Sequence, residues 1–150
     1  MDEEKKTVDL NGKFSFKVDT KGRMALPAKF RKFISTDDFV VTQDLHSDCL
    51  YVFIGNDEFN AWVDRIFEDK FGGYHESNTK EARLRTVMKG RSADVSADTA
   101  GRITLSQEMR AAVGIDRDVT IVGNKGYFEV WDAKRYEDLE QELDFDVLFG

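Results

Sequence analysis

The N-terminal part of the chain alternates between apolar and polar positions in a way that predicts a strand, a turn and a second strand. Every second residue from Phe14 to Val18 is apolar, a period typical of a strand with one buried face. The segment Asp19-Thr20-Lys21-Gly22 follows, and its Asp and Gly favour a type I hairpin turn closed by a residue with positive φ. We therefore predict a rigid, exposed hairpin tip, surrounded by the basic side chains of Lys17, Lys21 and Arg23.

Apolar residues recur every three or four positions in three later segments, which predicts three amphipathic helices. The first covers residues 56–71, the second residues 77–89, and the third follows Asp132. The first helix carries an aromatic stripe made of Phe59, Trp62, Val63, Ile66, Phe67 and Phe71. We expect the stripe to pack in the core, and part of it to be available for contact with another subunit.

The hairpin sequence recurs at a constant offset of 79 residues, which indicates a duplicated unit. The identical positions are Asp19/Asp98, Thr20/Thr99, Gly22/Gly101, Arg23/Arg102, Leu26/Leu105 and Arg31/Arg110. Predicted strand pairs at residues 39–42 with 49–54, and 119–122 with 127–131, extend the repeat. We divide the chain into a flexible N-terminal arm (1–12), a first repeat with its helix (13–72), a linking helix (73–90), a second repeat with its helix (91–143) and an acidic tail (144–150).

Charge is distributed unevenly along the chain, and the distribution follows the repeats. The net charge of −7 by itself argues against nucleic acid, because affinity for DNA comes largely from Lys and Arg on phosphates. Residues 11–35, however, contain seven basic residues and one acidic residue, and residues 80–110 contain seven basic and four acidic residues. This segregation predicts one face that binds an anionic partner and another face that repels it.

The residues that most enzymes and cofactor sites require are missing from the sequence pattern. The single cysteine, Cys49, excludes an internal disulfide, and His46 and His75 lie far apart in sequence. No Gly-rich phosphate loop or catalytic motif accompanies the acidic pairs. We therefore expect a protein without a cofactor that is not an enzyme. Because no apolar stretch is long enough for a membrane span or a signal peptide, we expect a cytoplasmic protein.

The pattern Asp-x-x-Gly-Arg-x-x-Leu-Pro, repeated with this spacing, resembles the MraZ family of bacterial transcriptional regulators, whose repeats have the AbrB-like swapped-hairpin fold. The resemblance covers residues 14–136. It implies an α+β protein in which two tandem AbrB-like repeats form a pseudo-twofold swapped-hairpin β-barrel with accessory helices. It also implies a homo-oligomeric ring that binds double-stranded DNA repeats upstream of the division and cell-wall gene cluster, most simply as a nucleoid-associated repressor.

The resemblance assigns DNA contact to the Asp-x-x-x-Arg units, namely Asp19 with Arg23 and Asp98 with Arg102. From their position on or beside the first hairpin, we add Lys17, Lys21 and Arg31 as DNA-binding candidates. The second copy departs from the first at two positions, where Ala100 replaces a lysine and Ser106 replaces a proline. We therefore expect the second tip to bind DNA more weakly.

Three alternatives remain open from the sequence. Each Asp–Arg pair can be an ordinary surface ion pair, which contributes little to stability. The chain can be an AbrB-like antitoxin, since its acidic tail contains Phe145, Leu148 and Phe149 as possible contacts for a partner. It can also be an assembly scaffold that does not bind DNA, in which the basic tips serve only solubility.

Overall fold

A computed structural model describes residues 7–149, which form eight strands and five α-helices. The strands of the first repeat are β1 (Lys13–Lys17), β2 (Arg23–Ala25), β3 (Asp38–Gln43) and β4 (Leu50–Phe53). Those of the second repeat are β5 (Ala93–Ser96), β6 (Arg102–Thr104), β7 (Asp118–Gly123) and β8 (Tyr127–Asp132). The helices are α1 (Ala28–Arg31), α2 (Asn56–Phe71), α3 (Thr79–Gly90), α4 (Gln107–Ala112) and α5 (Ala133–Glu142), followed by the 3-10 turn Phe145–Leu148.

The three predicted amphipathic helices are confirmed as α2, α3 and α5, and side chains or glycine define their ends. Helix α2 stops at Gly72, which adopts the left-handed conformation with φ 72°. The Asn78 side chain accepts a hydrogen bond of 3.1 Å from the Glu81 N–H and so begins α3. Asp132 caps α5 in the same way. These local interactions fix the helix boundaries before any tertiary contact is considered.

Strands from the two repeats interleave in one sheet instead of forming a sheet for each repeat. The main sheet is antiparallel with the order β1-β7-β8-β4-β3-β5, and β2 pairs with β6 in a separate two-stranded ribbon. The first strand of each repeat therefore pairs with the third strand of the other repeat. Strands β4 and β8, one from each repeat, meet at the centre. Neither repeat can complete this sheet alone.

The register of the strands obeys a pseudo-twofold relation between the repeats. Phe16 of β1 lies opposite Val119 of β7, while the equivalent residue Val95 of β5 lies opposite Phe39 of β3. The two swapped pairings thus use the same register. Since a slip of one residue would turn each buried face outward, this match is what keeps both apolar faces in the core.

The core consists of two apolar clusters on opposite faces of the main sheet. The larger cluster joins the sheet to the ribbon, where Met24 and Ile103 lie opposite each other and are fully buried. The smaller cluster holds α2 against β3 and β4 through Phe59, Val63 and Phe67. These three side chains belong to the predicted aromatic stripe, so their expected burial is confirmed.

The closed β-barrel that the family resemblance implied is not detected in the part of the chain that the structure describes. Strands β1 and β5 are the two edges of the six-stranded sheet. The ribbon lies between these edges, with β2 contacting β1 and β6 contacting β5. Among residues 7–149, no hydrogen-bonded ladder joins the ribbon to the sheet. The mixed α and β composition and the tandem repeats agree with the expectation.

The predicted N-terminal arm is described from residue 7, and residues 1–6 lie outside the described part. Leu10 is buried, and its N–H donates a hydrogen bond of 3.0 Å to the Asn124 carbonyl. The Val8 carbonyl accepts a bond of 2.6 Å from the Gly126 N–H. These contacts place residues 8–10 against the loop between β7 and β8, whereas we predicted a flexible arm through residue 12. The physical reason is the apolar side chain of Leu10, which lies in the larger core cluster.

Each repeat has a tight turn, tip 1 at residues 19–22 and tip 2 at residues 98–101, which contacts the ribbon strand of the other repeat. In tip 1, the Gly22 N–H donates to the Asp19 carbonyl at 2.9 Å, as a type I turn requires. The Leu105 N–H then donates to the Gly22 carbonyl at 2.8 Å, and the Leu26 N–H donates to the Gly101 carbonyl at 3.1 Å. The predicted turn is confirmed, but the strands that flank it enter different sheets, β1 in the main sheet and β2 in the ribbon.

The tip glycines are required by both conformation and space. Gly22 and Gly101 have φ of +83° and +75°, a region that other residues adopt at a cost of about 1–2 kcal/mol. A Cβ on Gly22 would collide with the backbone carbonyl of Leu105. A Cβ on Gly101 would lie 2.7 Å from the guanidinium carbon of Arg31, the end of a flexible side chain. The second crowding can be relieved by a side-chain movement, but the first cannot.

We expect the alanine substitutions Gly72→Ala, Gly101→Ala and Gly22→Ala to destabilise the fold in increasing order. Gly72 also has a positive φ but no atom within 4 Å of an added Cβ, so its substitution measures backbone strain alone, about 1–2 kcal/mol. Urea unfolding midpoints at constant slope would give the order. If Gly22→Ala cost no more than Gly72→Ala, the close contact between tip 1 and Leu105 would be wrong.

Candidate nucleic-acid interface

The carboxylate of Asp19 organises tip 1 through three hydrogen bonds. Its Oδ1 accepts the backbone N–H of Lys21 at 2.9 Å and that of Arg23 at 2.8 Å. Its Oδ2 accepts the side-chain Nε–H of Arg23 at 2.7 Å. The two carboxylate oxygens therefore hold both the turn and the guanidinium that follows it.

Tip 2 repeats this geometry. Oδ1 of Asp98 accepts the N–H groups of Ala100 at 3.0 Å and Arg102 at 2.9 Å, and Oδ2 accepts Arg102 Nε–H at 2.9 Å. Two copies with the same bonding to the same atoms show that the Asp-x-x-Gly-Arg sequence encodes a defined local structure. The Arg is part of this structure, and not only a neighbouring charge.

Both aspartates remain ionised at neutral pH. The hydrogen bond from the backbone N–H of Arg23, followed by the bond from its side chain, holds the pKa of Asp19 below its usual range. The backbone N–H of Arg102 does the same for the pKa of Asp98. Each tip therefore presents a fixed carboxylate and a fixed guanidinium side by side, with a local net charge near zero before the lysines are counted.

The ribbon places Arg23 and Arg102 on one outward face. Arg23 lies opposite Thr104, and Arg102 lies opposite Ala25, so all four side chains point away from the buried Met24. The two arginines occupy diagonal positions across the ribbon, and their side chains are 34% and 37% exposed. The tips themselves lie at the two ends of this antiparallel ribbon.

Each ribbon guanidinium is oriented by its Asp while its terminal nitrogens stay available. Aspartate takes the Nε–H in both cases, and within residues 7–149 no hydrogen bond involves the Nη atoms of Arg23 or Arg102. The two Nη groups of arginine form a fork that suits a phosphate or the O6/N7 edge of guanine. The arrangement can therefore present four donor groups in fixed directions to an anionic or base-edge acceptor.

The lysine candidates differ in position. Lys21 lies within tip 1 and is exposed, with only its backbone N–H bound to Asp19. Lys17 is the last residue of β1, and its register partner across the swapped pairing is Asp118. The structure thus brings Lys21 together with the Asp19–Arg23 unit, while an acidic residue lies beside Lys17.

Arg31 lies in a different environment from the one that its sequence position suggested. Its guanidinium packs over Gly101 of tip 2, and it lines the same cleft as Asp98. The equivalent residue Arg110 packs over Gly22 of tip 1 and donates through Nε to the Leu105 carbonyl at 3.1 Å. Each arginine of this pair therefore supports the tip of the other repeat.

Sequence reasoning missed Arg110 and Thr104 as members of this surface. Arg110 was identical to Arg31 in the comparison of the repeats, and that identity was the signal for a shared role at the tips. Thr104 is exposed on the same ribbon face as Arg23. The alternation of β6 around Ile103 was the signal for its direction, but its neighbour across the ribbon depended on the pairing of β2 with β6.

Two further observations concern the rest of the described chain. Among residues 7–149, no three His, Cys, Asp or Glu side chains are grouped in a way that would hold a metal ion. None of the helices described there has the length and apolar character needed to cross a bilayer.

Comparison with known proteins agrees with the duplicated architecture. A family model described as "MraZ protein, putative antitoxin-like" matches residues 10–83 and 88–147, one segment for each repeat. The boundary between the two segments falls within α3, the helix that links the repeats.

Individual relatives align over most of the chain, and each is named "Transcriptional regulator MraZ". The relative from Serratia proteamaculans (strain 568) is 30% identical over 131 residues, which cover 85% of this chain and 82% of the relative. The relative from Sodalis glossinidius (strain morsitans) is 30% identical over 134 residues, covering 87% and 84%. One from Yersinia enterocolitica is 28% identical over 131 residues, covering 85% and 82%. Since the family model spans both repeats and these relatives match nearly end to end, the chain belongs to the MraZ family.

Proposed function

We propose that this protein is a transcriptional regulator that binds promoter repeats in double-stranded DNA through the β2–β6 ribbon and its two tips. The names of its relatives support a role in transcription. The family resemblance adds the promoter of the division and cell-wall gene cluster as the target and repression as the effect. Such a regulator works in the cytoplasm, at the nucleoid.

The observation that carries this proposal is the paired Asp–Arg geometry on one ribbon face. A surface ion pair without function has no need to recur with the same three hydrogen bonds in both repeats. A two-stranded ribbon fits the width of the major groove, about 12 Å, and several DNA-binding folds read bases with such a ribbon. In this arrangement Arg23 and Arg102 face the bases or the flanking phosphates.

Each residue of the interface has a distinct proposed role. Arg23 and Arg102 donate through their Nη groups to a base edge or a phosphate, while Asp19 and Asp98 fix the direction of the guanidinium. Lys21 contacts phosphate as a mobile charge. Lys17 and Arg31, which we also named as candidates, contribute less directly because Asp118 faces the first and Gly101 lies beneath the second.

The negative net charge of the protein is compatible with DNA binding because the acidic residues lie in other segments. The segment at residues 37–69, which includes β3, β4 and most of α2, has nine acidic residues and only Arg65 to oppose them. The ribbon belongs to the two basic segments. The acidic surface then repels DNA from the wrong face and favours one binding orientation.

A single chain offers few phosphate contacts, so we propose that binding is strengthened by assembly. Several copies joined in a ring would engage several DNA repeats at once, and linked sites raise the apparent affinity by about 10²–10⁴ without any new contact. The promoter repeats implied by the family resemblance suit this arrangement.

We expect Arg23→Ala to weaken binding to the promoter repeat upstream of the protein's own gene by about 1–3 kcal/mol, and Arg102→Ala by less. The difference arises because tip 2 has Ala100 where tip 1 has Lys21. Fluorescence anisotropy with the promoter repeat and with a shuffled duplex would measure both affinities. Arg65→Ala, an exposed arginine on α2, is the matched control and should bind as the wild type does. Unchanged specific binding by Arg23→Ala would disprove its role.

We expect opposite effects from Lys21→Ala and Ala100→Lys, the two substitutions that exchange the difference between the tips. Removing a phosphate contact lowers the slope of log affinity against log salt by about 1, and adding one raises it by about 1. Both changes should affect the promoter repeat and the shuffled duplex almost equally, because phosphate contacts carry no sequence information. A change in sequence preference, instead of in salt slope, would contradict the phosphate role.

The same titrations separate the alternatives. An assembly scaffold would show no preference for the promoter repeat at any salt concentration. An antitoxin would bind DNA but would also co-purify with a small partner protein, and the described family is itself called antitoxin-like. The regulator is favoured here because the paired interface faces outward and its donors remain available.

A further inference from the structure

Helices α2 and α3 enclose an apolar groove on the side of the molecule that carries neither tip. Its volume is about 730 Å³, and its floor is formed by Ile66, Phe71, Leu84 and Val87. Phe71, Leu84 and Val87 remain substantially exposed there. Ile66 and Phe71 are the part of the aromatic stripe that the smaller core cluster does not bury. An uncovered apolar surface of this kind indicates a binding site for another polypeptide segment.

The rim of this groove is basic. The charged residues that line it are Lys70, Lys80, Arg83 and Arg91, and none of the lining residues is acidic. This is unexpected in a protein with a net charge of −7. The occupant should therefore combine apolar side chains with negative charge.

The C-terminal tail of the same chain has this composition. Residues 144–149 contain two aspartates among four apolar side chains, and all four are exposed, Val147 by 82% and Phe149 by 85%. The Asp144 carboxylate accepts the Asp146 N–H at 2.9 Å, which starts the 3-10 turn Phe145–Leu148. The tail is thus a short structured segment whose apolar side chains have no cover within its own chain.

The asymmetry between the repeats explains why the groove and the tail are both left open. Helix α2 of the first repeat corresponds to α5 of the second, and α3 packs beside α2. In the second repeat, residues 143–149 stand where the first repeat continues into α3. The second repeat therefore ends in an unpaired helix and an apolar tail, while the first repeat offers a groove.

We propose that the acidic, apolar tail of one copy of this chain docks in the basic-rimmed α2–α3 groove of a second copy. Phe145, Leu148 and Phe149 would cover the apolar floor, while Asp144 and Asp146 meet the lysines and arginines of the rim. Groove and tail are different surfaces, so the contact is heterologous and each bound copy leaves one groove and one tail free. Such a contact generates a closed ring, or a filament where the rotation does not close. The inference deepens the assembly part of the proposed function and is independent of the DNA contacts.

Charge reversal with rescue tests the docking in the absence of DNA. Sedimentation of the full chain over a range of concentrations should show an assembly. The variant Lys80→Glu/Arg83→Glu and the variant Asp144→Lys/Asp146→Lys should each weaken it by at least about tenfold, because like charges then meet. The chain that carries all four substitutions should assemble again. A matched control, Lys29→Glu/Lys125→Glu, makes the same change in net charge away from the groove and should assemble as the wild type does.

Removing residues 144–150 provides a second, independent variant, which should give a folded monomer with an unchanged circular dichroism melting curve. If the wild type assembles and the truncated chain assembles equally well, the docking is wrong and the oligomer is held by another surface. If the wild type stays monomeric and truncation opens the groove to an apolar dye, the tail occupies the groove of its own chain. A monomer that truncation does not change would leave the groove to a different protein. Both monomer results overturn the proposal and the proposed assembly, and leave the Arg23 titration as the separate test of DNA binding.

Discussion

The exchange of strands between the two repeats is the constraint on which the rest of the structure depends. Each repeat supplies the partner that the other lacks, since β1 pairs with β7 and β5 pairs with β3. Two further bonds fasten the exchange, from Leu105 N–H to the Gly22 carbonyl and from Leu26 N–H to the Gly101 carbonyl. Because each bond links one repeat to the other, neither repeat has a complete set of backbone hydrogen bonds by itself. The duplicated chain is therefore one cooperative unit, and not two domains in sequence.

The exchange also determines the candidate interface. A hairpin within one repeat would carry one Asp–Arg unit, whereas the ribbon formed by β2 and β6 carries two on one face. The buried pair of Met24 and Ile103 fixes which face points outward. The arginines that follow each ribbon strand, Arg31 and Arg110, then lie over the tip glycine of the opposite repeat. Interface and fold are thus supported by the same contacts, which explains why the tip tolerates so little change.

The departure from symmetry has a different consequence. The insertion of α3 between the repeats gives α2 a neighbour that α5 does not have. The apolar stripe of α2 is consequently buried on one side by the sheet and left partly exposed beside α3. Symmetry between the repeats builds the proposed DNA-binding face, and asymmetry builds the surface proposed for assembly. The two surfaces are made of different residues, so substitutions can separate binding from assembly.

The sequence by itself determined the local features. The repeat offset revealed the duplication, the Asp and Gly spacing gave both turns, and the apolar period placed α2, α3 and α5, because these features depend on residues that are close along the chain. Tertiary structure alone decided which strands pair, that the described strands form an open sheet with a ribbon, and that Leu10 is buried. It also decided that Arg31 lies over Gly101 and that Arg23 and Arg102 share a face. The physical reason is that strand pairing joins residues tens of positions apart, and any of several partners satisfies the same alternation of apolar and polar residues.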